Sequence, residues 1–350
     1  MSTQPTTAES IEAIRHRYRD NFSRHLLGLA RYLQKNMMQT LSADYGHANL
    51  RLGYAPYITL LANSDTRLTD LAQALGISRQ ACNQAVKQIE KAGYIGSKED
   101  PEDGRARLLT LTTRGQQLRD DGARTAYQLD KRFLQMIGKQ PFEDAARSLR
   151  KLHRELALEL ATPGSNIEQL PTTVLGGLLP RLSDYVIQRL MDLTIARGHP
   201  GLKLSFVQVL LLIGPNGGRI QHMASVHDVS KQAISVIATE LEELGYIERR
   251  VDPEDARQIV LYFTEDGRHL IADSVKSLAV MEDEFRDIVG CAAFGRLTDV
   301  FRELYQGLQI DREHTHKASP EQIQALASKL QRKLGRQGSR ELARLLLADS

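Results

Sequence analysis

One segment of this chain is written twice. From Ile77 it reads ISRQACNQAVKQIEKAGYIGSKEDPEDGRARLLTLTTRG, and from Val229 it reads VSKQAISVIATELEELGYIERRVDPEDARQIVLYFTEDG. The two align without a gap at a constant offset of 152 residues. Ser78/Ser230, Gln80/Gln232, Glu90/Glu242, Gly93/Gly245, Tyr94/Tyr246, Ile95/Ile247 and Asp100/Asp252 coincide. So do Pro101/Pro253, Glu102/Glu254, Asp103/Asp255, Arg105/Arg257, Thr112/Thr264 and Gly115/Gly267. A merely amphipathic likeness matches apolar classes alone. Turn residues and charges that coincide at one offset mark the duplication of a whole unit, so the chain must build that unit twice.

The local grammar of the unit is legible. Thr69 is expected to cap a short helix over Asp70–Leu75, Gly76 supplies a tight turn, and Ser78 caps a longer helix over Arg79–Ala92. Gly93 ends that helix. Helix, short turn, helix is the arrangement in which the second helix lies in the major groove of DNA. Strands are expected at Tyr94–Lys98 and Arg107–Thr112 around a polar, proline-containing loop, forming a wing. Thr112 then caps a helix reaching about Ile137. The second copy offers a helix at Met223–Val226, a turn at His227–Val229, and a helix at Lys231–Leu244 stopped by Gly245. Strands follow at Tyr246–Arg250 and Gln258–Phe263, and Thr264 with Glu265 and Asp266 makes a strong helix start.

Longer helices flank each unit, at Ile11–Leu41, Phe142–Leu160, Leu178–Ala196 and Ala293–Leu308. The expected organisation is a first winged-helix unit over residues 10–161, a linker over 162–168, a second unit over 169–310 and a basic helical tail over 311–350. The fold class is mainly α with small β wings (α+β): two tandem winged helix-turn-helix units with long flanking helices. The 5% aromatic content and the absence of Trp favour helices packed through Leu, Ile and Ala over a β-sandwich.

Composition narrows the function classes. The 46 basic and 43 acidic residues leave a net charge of only +3, so nucleic-acid contact must come from local clusters. Cys82 and Cys291 are too few for a disulfide framework, and no Cys/His cluster has zinc-site spacing. Both cysteines read as small buried residues rather than redox switches, and His16 and His25 as surface residues ahead of the alternative, the lining of a ligand cavity. The apolar stretches Val174–Leu179 and Val207–Ile213 are far shorter than the ~20 residues that span a bilayer. Met1–Ile14 lacks the apolar core of a signal peptide. A soluble, cytoplasmic protein with no membrane contact is expected. No nucleophile motif, phosphate-binding glycine loop or HExxH is present, so neither catalysis nor a cofactor or metal is expected.

The candidate interface residues lie on the helices and wings. In the first copy Ser78, Arg79, Gln80, Asn83, Gln84 and Lys87 are polar on the face opposite the apolar stripe. Arg reads guanine, Asn and Gln read adenine, and Lys holds phosphate. The second helix offers Ser230, Lys231, Gln232 and Ser235, but it replaces Asn83, Gln84 and Lys87 with Ser235, Val236 and Thr239 and carries the Glu240/Glu242/Glu243 run. Unequal heads are therefore expected. Lys98, Arg107, Arg249 and Arg250 on the wing strands are candidate phosphate contacts. Arg105 and Arg257 at the wing tips suit a narrow minor groove, or equally a loop-shaping pair with Asp103 and Asp255.

The order LAxxLGISRQ, GYI, DPEDxR and LT..G resembles the MarR (multiple antibiotic resistance regulator) family of winged-helix repressors. The DPEDxR wing followed by T..G is carried by both copies, and with their flanking helices they cover about residues 10–310. The resemblance implies a DNA-binding transcriptional regulator and repressor, whose usual two ~150-residue protomers are here joined in one chain. It implies double-stranded DNA as partner, with a pseudo-palindromic or asymmetric operator, and a small aromatic effector. The competing reading is a winged-helix protein-interaction module that has lost specific DNA binding. The tail, with Lys329, Arg332, Lys333, Arg336, Arg340 and Arg344 between leucines, suits docking, self-association or added phosphate contact.

Overall fold

The computed structural model of the 350-residue chain describes residues 13–14, 16–18, 20–62, 64–103, 106–158, 175–214, 217–226, 229–252, 258–310, 335 and 338. Residues Met1–Ile310 form one compact unit and Asp311–Ser350 another. The linker expected at 162–168 and, apart from Gly335 and Gly338, the basic tail lie outside the described residues.

The duplication is carried through the fold. The first repeat contains α1 (Phe22–Ala43), α2 (Ala55–Leu61), β1 (Thr66–Arg67), α3 (Leu68–Ala74), α4 (Arg79–Lys91), β2 (Ile95–Glu99), β3 (Arg107–Leu111), α5 (Thr113–Ile137) and α6 (Lys139–Glu155). The second contains α7 (Leu175–Ile195), α8 (Leu204–Leu210), β4 (Gly218–Arg219), α9 (Ile220–Val226), α10 (Lys231–Glu243), β5 (Ile247–Val251), β6 (Ile259–Phe263), α11 (Glu265–Val289) and α12 (Cys291–Gly307). From β1 and β4 onward every pair of elements keeps the 152-residue offset.

Local chemistry sets the boundaries. The Ser78 and Ser230 hydroxyls accept the Ala81 and Ala233 N–H groups, each at 3.1 Å, and start α4 and α10. Thr112 and Thr264 cap α5 and α11 in the same way, accepting from Gly115 and Gly267 at 3.0 Å. Two expectations change. Thr69 is not a cap, because α3 already begins at Leu68. The helix read over Ile11–Leu41 is interrupted at Asn21, whose side chain accepts the Arg24 N–H at 2.9 Å and starts α1 afresh.

Each wing is a three-stranded antiparallel sheet, ordered β1-β3-β2 and β4-β6-β5. The extra strand of two residues pairs Arg67 with Leu108 and Arg219 with Val260, tying the wing to the start of the helix-turn-helix.

Three apolar cores result. Each head has its own: Leu71, Cys82, Val86, Ile89 and Tyr94 are buried in the first, and Met223, Ile234, Ala238, Leu241 and Tyr246 in the second. The third is shared by both repeats. There α1 packs on α7, α6 on α12, and α12 on α1. Phe22 of the first repeat lies among Phe285, Phe294 and Phe301 of the second, with ring centroids 5.8, 5.0 and 5.2 Å away. Such rings bury large apolar areas and prefer offset or edge contacts. The buried Asp130 carboxylate of α5 accepts the Leu175 and Gly176 N–H groups at 3.2 Å, holding the start of α7 in the other repeat. His25 is buried in this core, not on the surface.

Candidate nucleic-acid interface

Each recognition helix rests in a cradle that fixes its angle. Gly93 (φ +82°) and Gly245 (φ +78°) end α4 and α10 in the left-handed region, where a side chain is strained. The chain then turns back, with Tyr94 donating to the Ile89 carbonyl at 3.1 Å and Tyr246 to that of Leu241 at 3.0 Å. The Thr112 and Thr264 hydroxyls donate to the Gly93 and Gly245 carbonyls at 2.7 and 2.6 Å. A Cβ on Gly115 or Gly267 would stand 2.0 Å from the Tyr94 or Tyr246 carbonyl oxygen, so only glycine lets the long helix approach.

Two further contacts recur at the same offset. His47 Nε2 lies 3.0 Å from Asp121 Oδ2, and His199 Nε2 lies 3.1 Å from Asp273 Oδ2. Each imidazole is buried and leans on the tyrosine that follows its recognition helix, Tyr94 at 5.9 Å and Tyr246 at 5.7 Å between ring centroids. These pairs fasten the loops ahead of α2 and α8 to the long helices α5 and α11. In the wings, Arg67 Nε donates to Asp100 Oδ2 at 2.7 Å and Arg219 Nε to Asp252 Oδ2 at 2.6 Å. Asp100 also accepts the Glu102 N–H at 2.9 Å, and these bonds, the backbone one foremost, hold its carboxyl below the usual range. The first aspartate of each DPED thus anchors the wing. Reading the residues alone missed these pairs, although His47/His199, Arg67/Arg219 and Asp121/Asp273 all obey the offset of 152.

The cradle leaves the outer face of α4 to solvent. Cys82, Val86 and Ile89 point into the head. Burial pushes the Cys82 thiol up, which suits a packing residue; Cys291 is exposed, contrary to expectation. Ser78, Arg79, Gln80, Gln84 and Lys87 are exposed and Asn83 is half-buried; Ser78 caps the helix and the other five lie along its first nine residues. Arg51 donates to the Gln88 side chain at 2.9 Å beside them. Lys98 is paired with Asp65 at 2.5 Å, and exposed Arg107 folds back onto the Ser97 hydroxyl at 3.0 Å.

The second head differs on its outer side. Ser230, Lys231 and Gln232 are exposed at the start of α10, and Ser235 is half-buried. The Lys231 ammonium donates to the Gln221 side chain at 3.1 Å. Arg249 reaches over α10, donating to the Ser235 carbonyl at 2.9 Å and the Thr239 hydroxyl at 2.8 Å, and meeting Glu242 at 3.2 Å. It therefore braces the helix. Arg250 pairs with Glu248 and lies 5.0 Å from the Tyr262 ring centroid. The wing-tip Arg105 and Arg257, and His227 and Asp228 of the turn, lie outside the described residues.

The model of the MarR family matches the chain twice, over residues 52–106 and 201–258. A comparison with curated proteins found no match. Among solved structures, a MarR-family transcriptional regulator from Rhodococcus sp. RHA1 is 22% identical, with 39% of this chain and 95% of that one covered and a TM-score of 0.33. CouR from Rhodococcus jostii RHA1, solved with p-coumaroyl-CoA, is 22% identical over 39% of this chain and 94% of its own, with a TM-score of 0.32. The transcriptional regulator Tm0710 from Thermotoga maritima is 19% identical over 40% and 95%, with a TM-score of 0.31. The MarR family model thus matches each repeat once, over a segment that spans its helix-turn-helix and the start of its wing.

Proposed function

We propose that this chain is a sequence-specific DNA-binding transcriptional regulator that works as a covalent pseudo-dimer. Residues 10–161 form one half and 169–310 the other, and α4 and α10 enter successive major grooves of one operator. The observation that carries this reading is the repetition, at one offset, of the contacts that hold the ends of the two recognition helices, and the loops packed on the tyrosines that follow them, against their long helices, while the outer face of α4 stays polar. Two heads that straddle neighbouring grooves need a fixed separation of about 34–36 Å. A core shared by both repeats is the means of fixing it. Joining the heads in one chain raises the effective concentration of the second and lets the operator be asymmetric.

In this reading Arg79, Gln80, Asn83 and Gln84 meet base edges, and Ser78, Lys87, Lys98, Arg107, Ser230, Lys231 and Arg250 position the backbone. Gln232 and Ser235 meet bases in the second half-site. Arg249 acts through α10, and Arg105 and Arg257 serve the minor groove. The protein acts in the cytoplasm as a repressor. A small aromatic effector would act by favouring a head separation unfit for DNA. Among the described residues, no helix is long and apolar enough to cross a membrane.

Selection of bound duplexes from a random pool by the full chain tests the proposal. The expected result is one preferred site with two half-sites about one helical turn apart, bound with an affinity that falls steeply as salt rises. Binding without sequence preference overturns it and favours a protein-interaction module.

A further inference from the structure

The two recognition helices present their faces in the same register. Cys82, Val86 and Ile89 of α4 are buried, and so are their counterparts Ile234, Ala238 and Leu241 of α10. The serine caps and the terminating glycines also correspond. A residue on the outer side of α10 therefore stands toward its head as its counterpart stands in α4. Gln84, a residue fitted to hydrogen-bond a base edge, is replaced at that position by Val236. Val236 is 60% exposed, more than any other large apolar side chain among the described residues.

Nothing inside the head accounts for a valine there. A β-branched residue on an exposed helix surface is a slightly poorer helix former than glutamine, and its methyl groups bury little. The groups around it are already engaged. The Thr239 hydroxyl donates to the Ser235 carbonyl at 3.0 Å and accepts from Arg249. Glu240 is paired with Lys203 at 2.8 Å and Glu242 with Arg249, so two of the three acids of α10 carry cations beside them. What remains facing outward is Val236, with the exposed Ala233 beside it and Lys231 and Gln232 one turn ahead.

From this we propose that the second head recognises thymine through its 5-methyl group, with Val236 as the residue that reads it. This inference rests on the proposed binding of DNA by both heads. In the major groove thymine alone presents a methyl group, and an aliphatic side chain is its natural complement. A protein partner is the competing occupant of this face. An exposed valine and alanine beside Gln232, Ser235, Thr239 and Glu240 are still too small an apolar area for the core of a protein interface, which needs about 1,000 Å² or more in total. They match one or two methyl groups well. The first head would then read hydrogen-bonding edges and the second a methyl edge, giving an operator whose halves differ in kind.

The test uses the full chain and its selected duplex. The half-site of the second head is the one whose protection weakens in the Lys231→Ala/Gln232→Ala double variant. Deoxyuridine, which lacks only the 5-methyl group, then replaces each thymidine there in turn. Binding is expected to weaken about fourfold at the methyl that Val236 covers. Val236→Ala should bind the parent duplex about that much less tightly and show no further loss with deoxyuridine. Val236→Gln should move the preference at that position toward adenine. An equal deoxyuridine effect in the parent and Val236→Ala chains overturns the inference. So does a footprint confined to the first half-site with Val236→Ala without effect, which leaves the regulator standing and assigns the second head to a protein partner. Absence of any preferred duplex would instead remove the regulator reading itself.

Discussion

The two heads share a skeleton and differ in surface. Side chains whose partners lie inside a head recur at the 152-residue offset: the caps Ser78/Ser230 and Thr112/Thr264, the crevices at Gly115/Gly267, the pairs His47–Asp121 and His199–Asp273, and the anchors Arg67–Asp100 and Arg219–Asp252. Outward positions diverge. Gln84, Lys87 and Lys91 become Val236, Thr239 and Glu243. The cross-strand partners Glu99 and Arg107 become the exposed apolar partners Val251 and Ile259. The difference teaches that the requirements for placing a recognition helix and those for its contacts fall on separate residues. A duplicated unit can change what it touches without changing how it stands.

The strongest way to break the comparison is to attack the skeleton equally on both sides. Gly115→Ala and Gly267→Ala each force a methyl group against a backbone carbonyl that cannot swing aside. Each should destabilise its own head by about 3 kcal/mol, read as faster amide exchange in the helix-turn-helix of that head only. If either substitution is tolerated while the other unfolds its head, the two cradles are not equivalent.

The second largest effect concerns the surface, where inequality is expected. Arg79→Ala should weaken operator binding about tenfold or more, the scale of a bidentate base contact. Lys231→Ala should cost about threefold, because that ammonium is already shared with Gln221 and acts on phosphate as a point charge. Lys87→Ala should also reduce the slope of log affinity against log salt by about 1, whereas Thr239→Ala should leave it unchanged. A larger loss for Lys231→Ala than for Arg79→Ala reverses the ranking of the heads.

Much of this skeleton was legible because its chemistry is local. A serine three residues before the amide it caps, or a glycine at a helix end, announces itself within one turn of chain. The duplication added assurance that no single motif supplies. Contacts across long separations were less visible. The strands Thr66–Arg67 and Gly218–Arg219 are two residues long and exist through partners about 40 residues away. Arg67 fixes the wing through Asp100, so α3 begins right after it and Thr69 loses the capping role its residue type suggests. Asn21 carried a cap signal that the apolar periodicity of Ile11–Leu41 concealed. On the surface, charge alone made Arg249 a phosphate contact, whereas three partners on α10 claim its guanidinium.

The smallest expected effect tests whether the wing anchor behaves as a carboxylate. Asp100 is held below its ordinary range first by the Glu102 N–H and then by Arg67. Its ionised form is therefore favoured in the folded wing. That contribution is fully present above the unfolded value of about 3.9 and is lost as pH falls through the lower folded value. Arg67 is 40% exposed, so solvent screens the pair and the effect should be modest. Amide exchange in β2 and β3, corrected for its intrinsic pH dependence, should stay level from pH 7 to about 5 and rise below about 4. Asp100→Asn should raise exchange at neutral pH and flatten that acid dependence. If the dependence persists in Asp100→Asn, another carboxylate holds the first wing, and the matching Arg219–Asp252 contact loses its claim to the same role in the second head.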